Sequence, residues 1–425
     1  MSNVSVSKRG NYWQYRFYTV VSQGSRKQIS KSGFRTKKEA LEAGNTALAK
    51  YLSSGSSNPI PDYSVADFLE LWFEKAALPY LRPTTLKEYR TIINQHLKPK
   101  FGHYYLKDLS SSTILDYVLQ LKVKGYAKNT VSGIIGVLSD VFEYAIEHVG
   151  LSKNPCKGLR YPEFPPAEER SILTPEQFER IIERFPEGSY WHIPLMIGYH
   201  TGMRSGEIFG LTWEDVDFEA KKIYVRRKIV NVQLDPNNIN NRKGTESTVT
   251  CWCFGPTKTK TSEREIFLDS VLLDLLQREK KRQEQNRQRL GQKYIVTYVL
   301  KSMDGRGNVL HKLISLSQEI PIFLPEADLV CKRDNGKFLT KNAFKYCTNI
   351  IQYELGIKFS THNLRHTHAT ILVQEGANIK DVQERLGHAR ISTTMDTYVH
   401  NTPKIKRDSV ALFEKFLKKH KVSTV

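Results

Sequence analysis

The period of hydrophobic and polar positions changes along this chain, and each change marks a different kind of element. From Tyr12 the large residues alternate with their neighbours through Gln14, Arg16 and Tyr18 to Val20, the two-residue period of a half-exposed strand. Gln23-Gly24-Ser25 then reads as a hairpin turn, with Lys27–Ser32 returning. Thr36, with Glu39 three residues on, predicts a capping box that opens a helix to about Tyr51.

Beyond a Ser/Gly-rich linker at Ser53–Pro59 the period lengthens to three and four residues. Ser64 is the expected cap of a helix carrying Phe68, Leu71 and Trp72. Thr84 or Thr85 opens a second with Leu86, Tyr89, Ile92 and Ile93, and Ser111 or Ser112 a third with Leu115, Val118 and Leu119. Asn129 caps a fourth with Ile134, Val137, Leu138, Val141 and Phe142, so 64–150 reads as a four-helix module.

A proline-stiffened linker, Arg160–Ala167, leads into a mixed region from about residue 170. Thr174-Pro175-Glu176-Gln177 carries an N-cap, a proline at the first helical position and a glutamine to close the box. Ile223–Val232 and Arg264–Leu268 read as strands, 234–255 as a polar insertion, and 278–293 as an exposed helix or loop because charge dominates it. Leu364, His368, Ile371 and Leu372 form an apolar stripe on a helix that ends at Gly376; Asn378 caps the next, which ends at Gly387. Ser392 starts a short helix in which Ile391, Met395 and Tyr398 recur, and Asp408–Leu417 reads as a terminal amphipathic helix with Val410, Phe413 and Leu417 on one face. The fold class expected is multidomain α+β: a small basic sheet with one helix, a helical module, and a mainly helical domain with a small sheet.

Charge narrows the partner. Lys and Arg total 64 against 44 acidic residues, a net of +20, which points to a polyanion. The stretch up to Leu52 alone has ten basic residues opposed by Glu39 and Glu42. No apolar run approaches a membrane span and the amino terminus lacks an apolar signal core, so no membrane role and a cytoplasmic protein are expected. Five cysteines, an odd count, fit a reducing compartment. Cys251-Trp252-Cys253 with Cys331 or Cys347 lacks the paired spacing of a zinc site. His362 and His366 stand four apart on a helix, but Asn363 occupies the place where a zinc protease needs Glu. No glycine loop with Lys-Ser/Thr is present to cradle a nucleotide. The expectation is therefore no metal and no cofactor.

Two stretches carry the chemistry. Thr201-Gly202-Met203-Arg204-Ser205-Gly206-Glu207 presents an arginine from a tight, glycine-bearing turn where a phosphate can come close. An Arg204–Glu207 salt bridge is the structural alternative. The second stretch is His362-Asn363-Leu364-Arg365-His366, followed by Leu386-Gly387-His388 and Tyr398. His362 and Arg365, three apart, share a helix face. Two guanidiniums, imidazoles, a lysine and a phenol form a set suited to attack on a phosphodiester.

These stretches, in this order, resemble the signature boxes of the tyrosine recombinase (phage integrase) family. Residues 1–53 resemble the arm-type DNA-binding domain of prophage and conjugative-transposon integrases, 64–150 their core-binding domain, and 170–425 their catalytic domain. The insertion at 234–255 and the stretch around 290–335 fall outside the resemblance. It implies that Arg204 and Arg365 clamp the scissile phosphate, that Tyr398 is the nucleophile forming a 3′-phosphotyrosyl link, that His362 assists proton transfer, and that His388 binds non-bridging oxygens. A hairpin lysine protonates the leaving 5′-oxygen. The hairpin is Thr257–Ile266, in which Lys260, next to the turn, is preferred over Lys258; Phe267 stands where the family has proline.

The resemblance further implies a site-specific integrase of a prophage or integrative conjugative element that works through a four-way junction. Its partners are double-stranded attachment-site DNA at core and arm sites, further copies in a homotetramer, and an excisionase or host DNA-bending protein. A type IB-like DNA topoisomerase uses nearly the same residues, and a non-catalytic DNA-binding regulator could share the architecture. The arm-type segment disfavours the first and the intact residue set the second.

Overall fold

The computed structural model describes residues 4–10, 12–20, 26–53, 63–166, 171–233, 250–256, 263–304 and 307–398. The chain divides into two compact units, Met1–Ala167 and Glu168–Val425.

The first unit opens with an antiparallel sheet, β1 (Ser5–Arg9), β2 (Tyr12–Val20) and β3 (Arg26–Phe34), with β2 central. Alternation sorts β2 as expected: Tyr15 and Phe17 are buried, while Tyr12, Arg16 and Tyr18 are exposed. The expected turn at 23–25 lies outside the described residues. Helix α1 (Lys37–Ser53) starts from the capping box, in which Thr36 Oγ1 accepts from the Glu39 amide (3.2 Å) and Glu39 Oε2 accepts from the Thr36 amide (3.4 Å). Gly44 lies so close to the sheet that an added Cβ would stand 3.0 Å from the Tyr15 side chain.

The helical module comprises α2 (Val65–Trp72), α3 (Pro83–Ile92), the short α4 (Lys98–Phe101), α5 (Ser111–Val123) and α6 (Lys128–Val149). Single π-helical turns extend α2 through Phe73–Ala77 and α3 through Ile93–Leu97. Apolar residues at helical spacing, among them Phe68, Phe73, Ile93, Leu97, Val118, Leu138 and Phe142, make one continuous core. Ser64 caps α2 as expected, but three other starts differ. Pro83 occupies the first helical position of α3, leaving Arg82 as its N-cap and Thr84 and Thr85 inside the first turn, because proline's fixed φ suits that position. Ser110, rather than Ser111 or Ser112, caps α5. Ala127 precedes α6, so Asn129 is helical and not a cap.

In the second unit α7 (Pro175–Arg184) starts from the expected capping box of Thr174 and Gln177. Then come α8 (His192–Thr201), the one-turn α9 (Ser205–Ile208) and two sheets. The run read as one strand, 223–232, is divided. β5 (Lys222–Val225) joins the short β4 (Val216–Asp217) and β8 (Arg264–Phe267) in one sheet, while β6 (Arg227–Gln233) enters another. The break falls at Arg226, where Asp215, 1% exposed, takes guanidinium bonds from both Arg226 and Arg227.

The second sheet has the order β6-β7-β10-β9, with β7 (Thr250–Pro256), β9 (Ile295–Met303) and β10 (Val309–Ser317). The two stretches outside the family resemblance thus supply three strands of a single sheet. Residues 250–256, read as part of a polar insertion, are a strand; 234–249 lie outside the described residues. One face carries Ile229, Trp252, Phe254, Val299 and Leu313 onto the main core.

Helix α10 (Ser270–Leu290) covers most of the stretch read as exposed, yet Glu279 and Gln283 are buried on it. Gln283 accepts from the Trp213 indole at 3.0 Å and donates to the Val330 carbonyl at 2.8 Å. Helices α11 (Lys341–Glu354), α12 (Thr361–Gln374), α13 (Ile379–Leu386) and α14 (Ile391–Tyr398) complete the unit. The expected apolar stripe on α12 is not what forms: Asn363 through Thr370 are all buried, while Ile371 is exposed. This helix runs through the interior, so burial surrounds it. The expected helix at 408–417 lies outside the described residues. Among the described residues no helix is long and apolar enough to cross a membrane.

Candidate active site

Arg204 sits where α8 gives way to α9. Gly202 ends α8 in the left-handed region at φ +64°, and a Cβ there would stand 2.8 Å from the His368 ring and 2.9 Å from Leu386. Glycine at 202 therefore allows the turn and the close approach of α12 and α13 together. Arg204 is the N-cap of α9, and its guanidinium makes two bonds in different directions: to Glu207 Oε1 at 2.8 Å and to the Gly387 carbonyl at 2.8 Å. The salt bridge weighed as the structural alternative thus exists beside the contact with the second stretch.

Arg365, on α12, is 1% exposed and donates to the Gly202 carbonyl and the Leu386 carbonyl, both at 2.8 Å. The two guanidiniums are therefore set on consecutive carbonyls, Leu386 and Gly387, from residues that lie 161 positions apart. Gly387 ends α13 at φ +66°, which turns those carbonyls and places His388 just beyond the helix.

His388 is half-buried, its Nδ1 2.9 Å from Thr394 Oγ1 of α14. Burial, reinforced by the guanidiniums of Arg365, Arg204 and Arg264, pushes its pKa down to about 3, so the ring is neutral at physiological pH. His362 is exposed at the start of α12, its ring edge-on to His366 with centroids 4.6 Å apart, and it also contributes to the potential at His388. Tyr398 is the last residue of α14, the helix tied to His388 through Thr394. Lys258 and Lys260 lie outside the described residues.

Residue patterns pointed to Glu207 as a partner of Arg204, but not to the other charges that brace this cluster. Glu207, 3% exposed, receives Arg204 on one oxygen and Arg264 of β8 on the other at 3.0 Å. Burial would raise its carboxyl, but Arg264 and Arg204 outweigh that and hold it below the usual carboxylate range. Arg264 Nε also donates to the Arg385 carbonyl at 2.6 Å. Arg385 Nε donates to His368 Nε2 at 2.9 Å, and His368 Nδ1 lies 2.9 Å from the Tyr199 carbonyl, which fixes the ring's tautomer. Burial, followed by the charge of Arg385, drives His368 down to about 3. The signal available for Arg264 and Arg385 was position only: one follows the lysine hairpin, the other precedes Leu386.

The cysteines weighed as ligands are separated. Cys331 and Cys347 belong to the main core, while Cys251 and Cys253, 3.3 Å apart at sulfur, lie with Val232 and Leu310 on the other face of the four-stranded sheet.

Residues 171–404 match the phage integrase family, 64–122 the phage integrase N-terminal SAM-like domain, and 4–50 an arm DNA-binding domain. The chain belongs to the phage integrase family. As a tyrosine recombinase it is an enzyme of site-specific recombination, breaking and rejoining DNA strands. It is 26% identical over 418 residues, 95% of this chain and 98% of the relative, to a XerC-like tyrosine recombinase of Caldanaerobacter subterraneus subsp. tengcongensis. It is 24% identical to the ICEBs1 integrase of Bacillus subtilis over 88% of each chain. The solved structure of the Tn1549 transposon integrase in complex with a circular intermediate DNA has the same fold, with a TM-score of 0.58 at 20% identity over 83% of this chain and 99% of that one.

Proposed function

We propose that this tyrosine recombinase is the integrase of a prophage or integrative conjugative element, cutting and rejoining its attachment sites in the bacterial cytoplasm. One observation carries the reading of the site: Arg204 and Arg365 hang on neighbouring carbonyls, and the next residue, His388, is bonded to the helix that ends in Tyr398.

In this reading the Tyr398 phenol oxygen attacks the scissile phosphorus and the 5′-oxygen leaves, forming a 3′-phosphotyrosyl ester. Arg204 and Arg365 bind the non-bridging oxygens as charge builds on them, which is worth about 10²–10³ in rate per donor lost. His388, neutral, donates a hydrogen bond to the same oxygens. His362 stands at the exposed start of α12 to assist proton transfer. Lys260, with Lys258 as the alternative, protonates the leaving oxygen. A 5′-hydroxyl of a second strand then attacks the ester and releases the tyrosine, so the bond energy is conserved through a four-way junction.

The division of labour follows: 1–53 reads arm sites, 64–150 grips core DNA, and 170–425 carries the chemistry. The exposed face of the first sheet, with Tyr12, Arg16 and Tyr18 outward and Ser5 and Ser30 opposite Arg16, offers donors and aromatic edges to a groove. Four copies act on two sites, and an excisionase or host DNA-bending protein sets direction. The net charge of +20 implies binding that weakens steeply with salt.

The test is a nicked attachment-site duplex incubated with the protein and resolved for a covalent DNA adduct. The adduct is expected with the wild type and absent with Tyr398→Phe, at unchanged DNA affinity. An adduct that survives in Tyr398→Phe means that another residue is the nucleophile.

A further inference from the structure

We infer that Arg385 is a positioning residue for strand cleavage, acting on the phosphate clamp through the backbone carbonyls of Leu386 and Gly387. The inference rests on the reading of Arg204 and Arg365 as that clamp.

Arg385 stands in the last turn of α13, directly before the two carbonyls that receive the guanidiniums. Its own side chain reaches the other way, to three different elements. Nε donates to His368 Nε2 on α12 at 2.9 Å, one terminal nitrogen to the Phe267 carbonyl of β8 at 3.1 Å, and the other to the His200 carbonyl of α8 at 3.1 Å. Its backbone carbonyl takes the Arg264 guanidinium at 2.6 Å, and Arg264 continues through Glu207 to Arg204. The polar chain thus closes on itself: Arg204, Glu207, Arg264, the backbone at 385–387, and Arg204 again.

β8 and α13 are joined by a reciprocal pair of bonds, Arg264 to the Arg385 carbonyl and Arg385 to the Phe267 carbonyl. A planar fork with donors fixed in three directions can hold three elements at once; an ammonium on a flexible stem cannot reproduce that geometry. The acceptors are a neutral imidazole and two carbonyls, so the bonds orient the side chain without neutralising it. None of these bonds goes to Arg204 or Arg365 themselves. What Arg385 sets is the place of the carbonyl shelf, and a shift of that shelf moves both guanidiniums together. Displacement of catalytic groups by about 1 Å can cost roughly a hundredfold in rate.

The test separates clamp geometry from general loss of fold by changing the charge on the substrate. A methylphosphonate at the scissile position lacks the negative charge that the clamp stabilises, so defects of the clamp shrink on it. Strand cleavage is measured on the phosphodiester and the methylphosphonate for Arg385→Met, for Arg385→Lys, which keeps the charge, and for Arg365→Ala. Melting and DNA affinity are recorded for each variant.

Both Arg385 variants are expected to lose about 10–100-fold on the phosphodiester but only about threefold on the methylphosphonate, with DNA affinity near that of the wild type. Equal losses on both substrates, or full activity in Arg385→Lys, overturn the inference while leaving the clamp in place if Arg365→Ala is relieved. An Arg365→Ala variant that gains no relief overturns the clamp reading, and this inference with it.

Discussion

Arg90 in the helical module and Arg365 in the recombinase domain are both arginines sealed from solvent, at 6% and 1% exposure, and they are held in opposite ways. Arg90 lies 3.8 Å over the Phe73 ring and is paired with Glu70, which Lys98 also meets. Its charge is matched by a carboxylate, and its carbon stem fills space between helices. Arg365 donates to the carbonyls of Gly202 and Leu386, which fix the direction of its fork. Its field is felt at His388, which the surrounding guanidiniums help to keep neutral. A buried arginine matched by a carboxylate fastens helices; one directed by the carbonyls of two other elements is the arrangement that the proposed phosphate clamp requires.

Substituting the two residues is the strongest way to break this comparison. Arg365→Lys keeps a cation but loses the fork that spans Gly202 and Leu386, so adduct formation should fall by about 10²–10³. A loss of less than about tenfold would place the residue among ordinary packing groups. Arg90→Met should instead cost about 1 kcal/mol of stability, chiefly the cation–π contact, because Glu70 retains Lys98. Cleavage per bound complex should not change in that variant, and a kinetic defect there would erase the distinction.

Acid sharpens the comparison next. His368 and His388 have folded pKa values near 3 against about 6.5 for unfolded histidine, so the unfolded chain binds more protons between those limits. Stability of the recombinase domain should therefore fall as pH drops from about 6.5 toward 3, by up to about 1.4 kcal/mol per pH unit for a fully buried group. His368→Gln keeps an acceptor for Arg385 and removes one titration, so its melting temperature should fall less steeply over that range. Glu207 acts in the same direction lower down: its carboxyl is held below its ordinary value, so its contribution is present above that value and is lost as pH falls.

The smallest expected effect concerns helix starts in the module. Ser110→Ala removes the side chain that caps α5 and should cost about 1 kcal/mol, whereas Asn129→Ala should stay within about 0.5 kcal/mol because Asn129 is inside α6. Equal melting shifts in the two variants would contradict those cap positions.

Where local rules suffice, the sequence reading and the fold agree. The capping boxes at Thr36 and Thr174 and the caps at Ser64 and Asn378 are all formed, since each joins groups three or fewer residues apart. Errors arise where two local options compete, as with Asn129 beside the helix that absorbs it. They arise also where a run is split by distant partners, as 223–232 is by Asp215, β7 and β8. The buried Gln283 of α10 belongs to the same class, because its donor and acceptor partners come from residues 213 and 330.

Residue order alone was enough to name the candidate reactive groups, the turns at Gly202 and Gly387 beside them, and the charge that calls for a polyanion. Packing was needed to bring Arg204 and Arg365 onto one carbonyl shelf, to divide Glu207 between two arginines, and to turn Arg385 onto three other elements. The physical reason is range. Caps, turns and periodicity are settled by neighbours a few residues away, while the direction of a guanidinium depends on acceptors brought near by packing, and those lie from 17 to 185 positions along the chain.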